Sequence, residues 1–324
     1  MPETNPQFVW VDGKPVAWND ATIHITQVGT AGVSSVFEGI RAYWNADKKK
    51  LFVFRLDAHL DRFAQSIRLM RMQQTFSHAQ LKNAILELVR ANQHAEDAYI
   101  RPIAFTEAGM FGSAGGDQGR IVINTQAWQS RLKSGKVNHA CFSSWTRISD
   151  NVMPPRVKAS SNYLNSRLAG EEARRNGYDS ALLLNANGKV AEAPGACLML
   201  VRDGKLITPS VTSGILESIT RETLLEISRE WLGLTVVERD VDRTELYASQ
   251  EVFLCGTGAE ITPIVSVDRL PVGNSEMGPV TKKIESVYHD VVRGIDAQCP
   301  EWRTDYHDVV RGIDAQCPEW RTEV

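Results

Sequence analysis

An amine and a phenol lie five residues apart at Lys158 and Tyr163, within the stretch RVKASSNYL. A carboxylate follows at Glu192 in VAEAPG, then Ser-Ile-Thr-Arg at 218–221 and Gly-Thr-Gly-Ala-Glu at 256–260. A lysine amine condenses with an aldehyde, a carboxylate pairs with a basic ring nitrogen, and N–H groups at a helix N-terminus bind phosphate. A lone lysine is usually a solvated surface charge, but this ordered set indicates a site for an aldehyde cofactor.

Pyridoxal 5'-phosphate is the cofactor that has these requirements. Lys158 is predicted to form its Schiff base. Glu192 is predicted to keep the ring nitrogen protonated, so that the ring accepts electrons when the substrate Cα loses its proton. Tyr163 is expected to donate a hydrogen bond to the ring oxygen beside the imine. Taken singly, Glu192 would suit an ordinary turn and Tyr163 a half-buried helix position, but their coincidence favours the cofactor site.

The phosphate is expected to lie near two sets of backbone N–H groups. Residues 218–220 open a predicted amphipathic helix, whose first N–H groups and dipole favour an anion; Thr220 alone would also suit an ordinary N-cap. Gly256 and Thr257 follow a predicted buried strand and add N–H groups and a hydroxyl. Arg62 would add a positive charge, although an isolated arginine more often lies on the surface.

The bulk composition narrows the class of protein. The 324 residues carry a formal net charge of -3, and 43% are hydrophobic, which is ordinary for a soluble globular protein and gives no reason to expect nucleic-acid or membrane partners. No apolar run approaches the roughly eighteen residues of a membrane helix, and the N-terminus does not resemble a secretory signal. The cysteines form no Cys-x-x-Cys pair, so we expect no metal site, no disulfide framework and a cytoplasmic location.

Apolar periodicity and turn residues predict alternating strands and helices. The N-terminal part is predicted to contain a hairpin at 8–16 with an Asp-Gly turn, strands at 51–55, 99–106 and 120–125, and helices at 56–72, with Asp57 as cap, and at 77–93. A mobile glycine-rich loop is expected at 109–116. The C-terminal part is predicted to contain strands at 137–145, 181–185, 197–201 and 251–255 and helices at 162–176, 219–232 and 279–294.

The predicted domain organisation is a small domain at 1–130, a linker at 131–136 and a large domain at 137–324.

One segment is repeated without a change. YHDVVRGIDAQCPEWRT occupies 288–304 and again 306–322. Two copies at one end do not make a solenoid, which needs several stacked repeats. The second copy is predicted to be frayed or loosely packed and to have no catalytic role.

The chain resembles the fold-type IV pyridoxal-phosphate enzymes, and among them the branched-chain amino acid aminotransferases. The resemblance extends from Phe8 to about Val292. Its most specific stretches are SVFEGIRAY at 35–43, AYIRP at 98–102 and KASSNY at 158–163, with further likeness in GEEARRNGY at 170–178 and GPVTKK at 278–283. It implies a two-domain α+β fold, similar to D-amino acid aminotransferase, with mixed sheets packed against helices and a pseudo-barrel in the larger domain.

The resemblance also implies roles for individual residues. Lys158 would be both the Schiff-base lysine and the proton carrier between Cα and the cofactor's C4'. The implied cofactor-binding residues are Arg62, Lys158, Tyr163, Glu192, Ser218, Ile219, Thr220, Gly256 and Thr257. The implied substrate-site residues are Gly32, Phe37, Gly39, Tyr99, Arg101, Met110, Trp128, Gly258 and Ala259. The family forms homodimers or larger assemblies, in which the loop around Met110 would reach the neighbouring subunit's site.

The sequence departs from the family pattern near the expected site. Gly32 stands where the family usually has tyrosine, which removes a hydrogen-bond donor and opens space. The run Ala-Pro-Gly-Ala-Cys at 193–197 replaces the usual Gly-x-Gly-Glu-Asn, so the surroundings of Glu192 are expected to differ. Ser160 and Ser161 replace a pair that is often small or glycine.

The expected activity is transfer of the amino group of branched-chain L-amino acids to 2-oxoglutarate. The change at Gly32 keeps a close alternative open, an (R)-selective amine transaminase with a broadened donor range. A lyase of the same fold, acting on aminodeoxychorismate, is a further alternative, against which the Tyr99-Ile100-Arg101 run argues. The last alternative is a cofactor-binding protein without catalysis.

Overall fold

The computed structural model describes residues 5–106, 119–296 and 298–305 of the chain. These residues form two compact units. The first comprises the N-terminal part through Ser130, the short segment 158–161 and the C-terminal part from Val291, and the second comprises Arg131–Val157 and Asn162–Asp290. The glycine-rich stretch 109–116 and the second repeat 306–322 lie outside the described residues.

Strands and helices are numbered along the chain. The strands are β1 Phe8–Val11, β2 Lys14–Ala17, β3 Val36–Phe37, β4 Ile40–Asn45, β5 Lys50–Phe54, β6 Ala98–Thr106, β7 Gly119–Ala127, β8 Asn138–Thr146, β9 Ser180–Leu184, β10 Cys197–Arg202, β11 Lys205–Thr208, β12 Thr235–Glu238, β13 Glu251–Gly256, β14 Glu260–Val267, β15 Leu270–Pro271 and β16 Arg303–Asp305. The helices are α1 Val28–Ser34, α2 Leu56–Leu69, α3 His78–Ala91, α4 Asn162–Arg175, α5 Ile219–Glu226, α6 Arg243–Tyr247 and α7 Pro279–Val292. No described helix is both long enough and apolar enough to cross a bilayer.

Each unit contains one sheet. In the first unit the described strands pair antiparallel in the order β16-β5-β4-β6-β7-β1-β2, and β3 pairs with β6. In the second unit the order is β12-β11-β10-β13-β14-β8-β9, with β15 beside β14, and this sheet includes parallel pairs such as β8 with β9. The register of each sheet follows its buried face, because a slip by one residue would turn every apolar side chain to the other side.

Turn and cap residues fix several elements where the sequence predicts them. The β1–β2 turn has positive φ at both Asp12 and Gly13, as a two-residue hairpin requires. Ser77 and Gln80 form a capping box that begins α3. The prediction that Asp57 caps α2 is wrong: Arg55 is the cap residue, and Asp57 lies in the first turn, where it pairs with Lys82 at 2.8 Å.

The helix predicted at 219–232 is interrupted. It comprises α5, which ends at Glu226, and a π-helical turn at Ile227–Trp231. A π-turn inserts one extra residue into the helical ladder, which the 3.6-residue period of the sequence does not show. Both parts bury their apolar side chains, including Leu224 and Ile227.

Glu251 holds the N-terminus of α7. Its carboxylate accepts hydrogen bonds from the N–H of Val280 at 2.9 Å, the N–H of Thr281 at 2.7 Å and the Thr281 hydroxyl at 2.6 Å. A Cβ on Gly278 would overlap this carboxylate side chain. We therefore expect Gly278→Ala to lower the free energy of unfolding by about 1–3 kcal/mol, since Glu251 must leave the cap.

Denaturant unfolding of Gly278→Ala measures this effect, with Gly29→Ala as control. In the described part of the chain, a Cβ on Gly29 meets no atom within 4 Å beyond its chain neighbours and its own helix backbone. Alanine favours the helix, so the control should be neutral or slightly stabilising. Equal stabilities for the two variants would contradict the role given to Glu251.

The first copy of the repeat belongs to the first unit from Val291 onward. Its Trp302 is buried and packs edge-on against Phe54, with ring centroids 6.2 Å apart. Arg293 makes a bidentate ion pair with the buried Asp97, at 2.8 and 2.6 Å. The residue after the copy, Asp305, lies in β16 beside β5 and pairs with the Lys50 ammonium.

Candidate active site

Lys158 belongs to the first unit, where its backbone is hydrogen-bonded to β3 and α2. The Phe37 N–H donates to the Lys158 carbonyl at 3.0 Å, and the Lys158 N–H donates to the Ser66 hydroxyl at 3.3 Å. The half-buried side chain places Nζ 4.9 Å from the centre of the Phe37 ring. The sequence RVKASSNYL reads as a passage from a strand to a helix. The strand is absent, because the described segment before Lys158 is irregular, and the helix predicted at 162–176 begins at Asn162.

A buried charge cluster lies in the same unit. Glu38 accepts from Arg62 Nε at 2.7 Å through Oε1 and from Arg62 Nη2 at 2.8 Å through Oε2, which also lies 2.7 Å from His59 Nδ1. The exposed fractions are 0% for Glu38, 3% for His59 and 8% for Arg62. Because an ionised carboxylate only accepts, the proton of this last bond is on His59.

The cluster sets the charge state of its members. Burial acts to raise the pKa of Glu38, but Arg62 and His59 outweigh it and hold the pKa well below its usual range. Burial lowers the pKa of His59, against the attraction of Glu38, and the positive charges of Arg62 and Lys158 lower it further. The cluster thus contains an ionised carboxylate, a guanidinium and an imidazole that loses its charge readily.

The ionisation of Glu38 is expected to make the free energy of unfolding depend on pH in the acidic range. Its folded pKa lies below the ordinary 4.5, so between the two values the unfolded state binds more protons and stability falls as the pH is lowered. Glu38→Gln should flatten the decline of the unfolding free energy between about pH 4.5 and pH 3. Denaturant titrations across that range measure both slopes, and equal slopes would contradict the assignment.

The predicted substrate residues of the first unit make two aromatic contacts. The rings of Tyr99 and Trp128 lie 5.0 Å apart, and a Cβ on Gly39 would overlap the Tyr99 hydroxyl. The Arg101 guanidinium carbon lies 4.6 Å from the centre of the Phe37 ring. Phe37 therefore contacts two cationic side chains, those of Arg101 and Lys158, and this brings three of the predicted residues together around one ring.

Gly32 and Met110 complete the predicted substrate set of that unit. Gly32 is exposed near the end of α1, and among the described residues no atom beyond its chain neighbours and its own helix backbone would lie within 4 Å of a Cβ there. Met110 lies outside the described residues.

Glu192 is the buried carboxylate of the second unit. It lies between β9 and β10, and its carbonyl accepts from the Leu183 N–H at 3.0 Å. Arg147 Nη2 lies 2.6 Å from Oε1, and the Leu216 N–H donates to Oε2 at 3.2 Å. The Cys197 thiol donates to the same oxygen at 3.7 Å. These contacts stabilise an ionised, fixed carboxylate.

The predicted phosphate residues of the second unit lie at two element ends. Ser218, not Thr220, is the N-cap of α5, because its hydroxyl accepts from the Arg221 N–H at 3.3 Å. Ile219 and Thr220 are the first helical residues and are buried. Gly256 ends β13, where a Cβ would lie 3.3 Å from the Gly195 carbonyl oxygen.

The remaining predicted residues of this unit follow the same elements. Thr257, Gly258 and Ala259 connect β13 to β14, and Tyr163 is the second residue of α4. A lysine, a fixed carboxylate and a helix N-terminus are the groups that pyridoxal phosphate requires. The residues present therefore fit that cofactor.

Sequence reasoning missed Glu38, His59 and Arg147. His59 lies three residues before Arg62 on α2, and that spacing, which places both on one helix face, was the available signal. Glu38 stands within the stretch SVFEGIRAY, but its partners are distant in sequence. Arg147 carries no local signal of its contact with Glu192.

Comparison with known proteins decides the family. The model of the class IV amino-transferases matches residues 35–267. The chain belongs to the class IV aminotransferases. This class uses pyridoxal 5'-phosphate, so the predicted family, enzyme class and cofactor are confirmed.

Known proteins are similar to this class IV aminotransferase over most of its length. A probable branched-chain-amino-acid aminotransferase from Aquifex aeolicus is 38% identical over 298 residues, covering 92% of this chain and 96% of the relative. The holo structure of a branched-chain amino acid aminotransferase from Thermobaculum terrenum, in its PLP form, superposes with a TM-score of 0.91 at 47% identity, covering 93% of this chain and 99% of that one.

A third relative was solved with a cofactor adduct. It is the branched-chain amino acid aminotransferase from T.th., complexed with N-(5'-phosphopyridoxyl)-L-glutamate, at a TM-score of 0.87 and 36% identity, covering 93% of this chain and 99% of that one. These likenesses confirm the predicted α+β fold of the fold-type IV aminotransferases.

Proposed function

We propose that the enzyme transfers the amino group of branched-chain L-amino acids to 2-oxoglutarate. The grouping of Lys158 and Arg101 about Phe37, with the Tyr99–Trp128 ring pair in the same unit, carries this proposal. Apolar aromatic surface suits a branched aliphatic side chain, and a guanidinium suits the second carboxylate of a dicarboxylic acceptor. The likeness to branched-chain aminotransferases, one of them complexed with a phosphopyridoxyl-glutamate adduct, supports both substrates.

The catalytic roles are proposed for this chain's own residues. Lys158 would hold the cofactor through a covalent bond to its amine, and the same amine would carry the substrate proton between Cα and C4'. Glu192 would keep the ring nitrogen protonated, and Tyr163 would donate to the ring hydroxyl. When bound, the cofactor supplies an electron sink for the Cα–H bond that breaks.

Further residues are proposed to bind the phosphate and the substrate. The first N–H groups of α5 and those of the turn after Gly256 would donate to the phosphate, Thr257 would add its hydroxyl, and Arg62 would contribute positive charge. The N–H groups near Thr257 and Gly258 receive the substrate carboxylate.

Steady-state kinetics with L-leucine and 2-oxoglutarate test the proposal, with (R)-1-phenylethylamine as competing donor. We expect a higher kcat/KM for L-leucine. Arg101→Met should raise KM for 2-oxoglutarate by about 10- to 100-fold, the loss of a charged hydrogen bond, and leave KM for L-leucine nearly unchanged. Strict preference for the amine would refute the proposed donor.

The transaminase for (R)-amines stays the second candidate because of Gly32. No described atom lies within 4 Å of the position that its Cβ would take, so the family's tyrosine is not replaced there by another side chain. A donor that lacks a carboxylate would then lose little binding. The same kinetic comparison separates the two candidates.

We also propose a homodimer or larger assembly. Ile25, Val28 and Val33 are 78%, 48% and 67% exposed, and exposed apolar side chains in one short segment are of the kind that subunit contacts cover. Light scattering of the purified protein measures the assembly, and a monomer at micromolar concentration would contradict it. The free thiols of Cys141, Cys197 and Cys255 support a location in the reducing cytoplasm.

The domain organisation proposed from the sequence is residues 1–130, a linker at 131–136 and residues 137–324. The division of the compact units after Ser130 supports the first boundary. Residues 158–161 and the part from Val291 group with the first unit instead.

A further inference from the structure

The surroundings of Glu192 suggest how one carboxylate is held in its charged form. We propose that Arg147 is a positioning residue that keeps Glu192 ionised and fixed, and thereby keeps the cofactor's ring nitrogen protonated. This inference rests on the role proposed above for Glu192. It concerns contacts within the second unit only.

Arg147 is held from two sides. Its Nη2 contacts Glu192 Oε1 at 2.6 Å, and its Nε donates to the Gly214 carbonyl at 3.3 Å. Gly214 has a positive φ of 86°, a conformation that glycine adopts without strain, and it lies in the turn before α5. The turn thus fixes the guanidinium while the guanidinium fixes the carboxylate.

The ion pair between Arg147 and Glu192 is buried, so the loss of either partner has a large effect on the other. The Arg147 and Glu192 side chains are 7% and 6% exposed. Removing one partner of a buried ion pair leaves a charge with poor solvation, and a carboxyl group in that position takes up a proton. Glu192 would then stand protonated opposite the ring nitrogen.

The proton has two possible positions, the ring nitrogen or the Glu192 carboxyl group. Arg147 stabilises the carboxylate, because its guanidinium lies 2.6 Å from Glu192 Oε1. It therefore favours the pair of carboxylate and protonated ring over the neutral pair. Only the protonated ring is a strong electron sink.

The Cys197 thiol is a weaker third partner. Burial raises the pKa of Cys197 well above 9, and the neighbouring Glu192 raises it further, so the thiol keeps its proton and donates. Thiols are weak donors, and the sequence has cysteine where the family pattern has asparagine. Among these contacts, the ion pair with Arg147 therefore contributes most to keeping the Glu192 carboxylate ionised and in place.

Nitrogen NMR of enzyme loaded with cofactor labelled with ¹⁵N at the ring tests the inference. In the unaltered enzyme and in Arg147→Lys we expect the chemical shift of a protonated ring. In Arg147→Met the shift should move toward that of Glu192→Gln. The kcat of Arg147→Met should fall by about 10- to 100-fold, the range found for outer-shell partners elsewhere, with a smaller change in KM.

Arg293→Met is the matched control, since Arg293 forms a bidentate pair with buried Asp97 in the first unit. It should lower stability but leave the nitrogen shift unchanged. An unmoved shift in Arg147→Met, with a moved one in Glu192→Gln, would overturn this inference alone. An unmoved shift in Glu192→Gln would instead refute the role proposed for Glu192. Equal shifts in Arg147→Met and Arg147→Lys would indicate general disruption and also overturn the inference.

Discussion

Lys158→Ala should lower kcat by at least about 10⁴-fold, because covalent attachment and proton transfer depend on the same amine. The side chain is half-buried, and the hydrogen bond of Lys158 to β3, from the Phe37 N–H to the Lys158 carbonyl, joins backbone atoms and does not need the amine. The fold should therefore persist, with a change in unfolding free energy of about 1 kcal/mol or less. Glutamate formation and thermal unfolding measure the two effects separately.

Lys158→Arg and Lys82→Ala are the controls for this prediction. Lys158→Arg keeps a positive charge near Phe37 but cannot carry the cofactor, and it should be as inactive as Lys158→Ala. Lys82 pairs with Asp57 in the same unit, and its loss should leave turnover intact. Reduction with borohydride, followed by peptide mapping, should find the label on Lys158, and a label on another lysine would contradict its assignment.

Arg62→Met is expected to lower the free energy of unfolding by about 3–5 kcal/mol. The substitution removes the guanidinium that donates two hydrogen bonds to Glu38, a carboxylate with no exposed surface. Denaturant unfolding without cofactor isolates this effect from any loss of phosphate binding.

The double variant Glu38→Gln with Arg62→Met tests the cause. It should recover part of the loss, because no buried carboxylate is then left without its cation. Arg229→Met is the control, since Arg229 lies at the surface in its pair with Glu238, and it should cost less than about 1 kcal/mol. A similar small cost for Arg62→Met would show that Glu38 does not depend on Arg62.

Local signals explain which elements the sequence predicted. The hairpin turn at Asp12 depends on residues within one turn, and it is confirmed. The helix predicted at 77–93 is also present, as α3 at His78–Ala91, and its start is fixed locally by the capping box of Ser77 and Gln80. Short strands such as β3 and β16 carry no period that two or three residues can show. They exist because of partners far along the chain, as β16 does beside β5.

In the candidate site, too, residues with a local sequence signal were predicted and residues that depend on distant partners were not. Lys158 and Glu192 were predicted because few alternatives explain their order and chemistry. Arg147 and Glu38 were missed because most charged residues are solvated, and nothing near either residue in the sequence indicates a buried ion pair. Their partners lie far along the chain and become visible only in the fold. Ser218 was predicted near the phosphate, but its function as cap became visible only in the hydrogen bond to the Arg221 N–H.

The pairing of Lys50 with Asp305 gives the C-terminal duplication an unexpected use. Excising 288–305 or excising 306–323 produces chains of equal length, because each cut removes one full period of 18 residues. The two products differ at one place only: glutamate follows the remaining copy in the first product, and aspartate follows it in the second. Comparing the free energies of unfolding of the two products therefore measures the effect of one methylene group in the residue that follows the copy, the position of Asp305 in β16. The two products are otherwise identical in sequence.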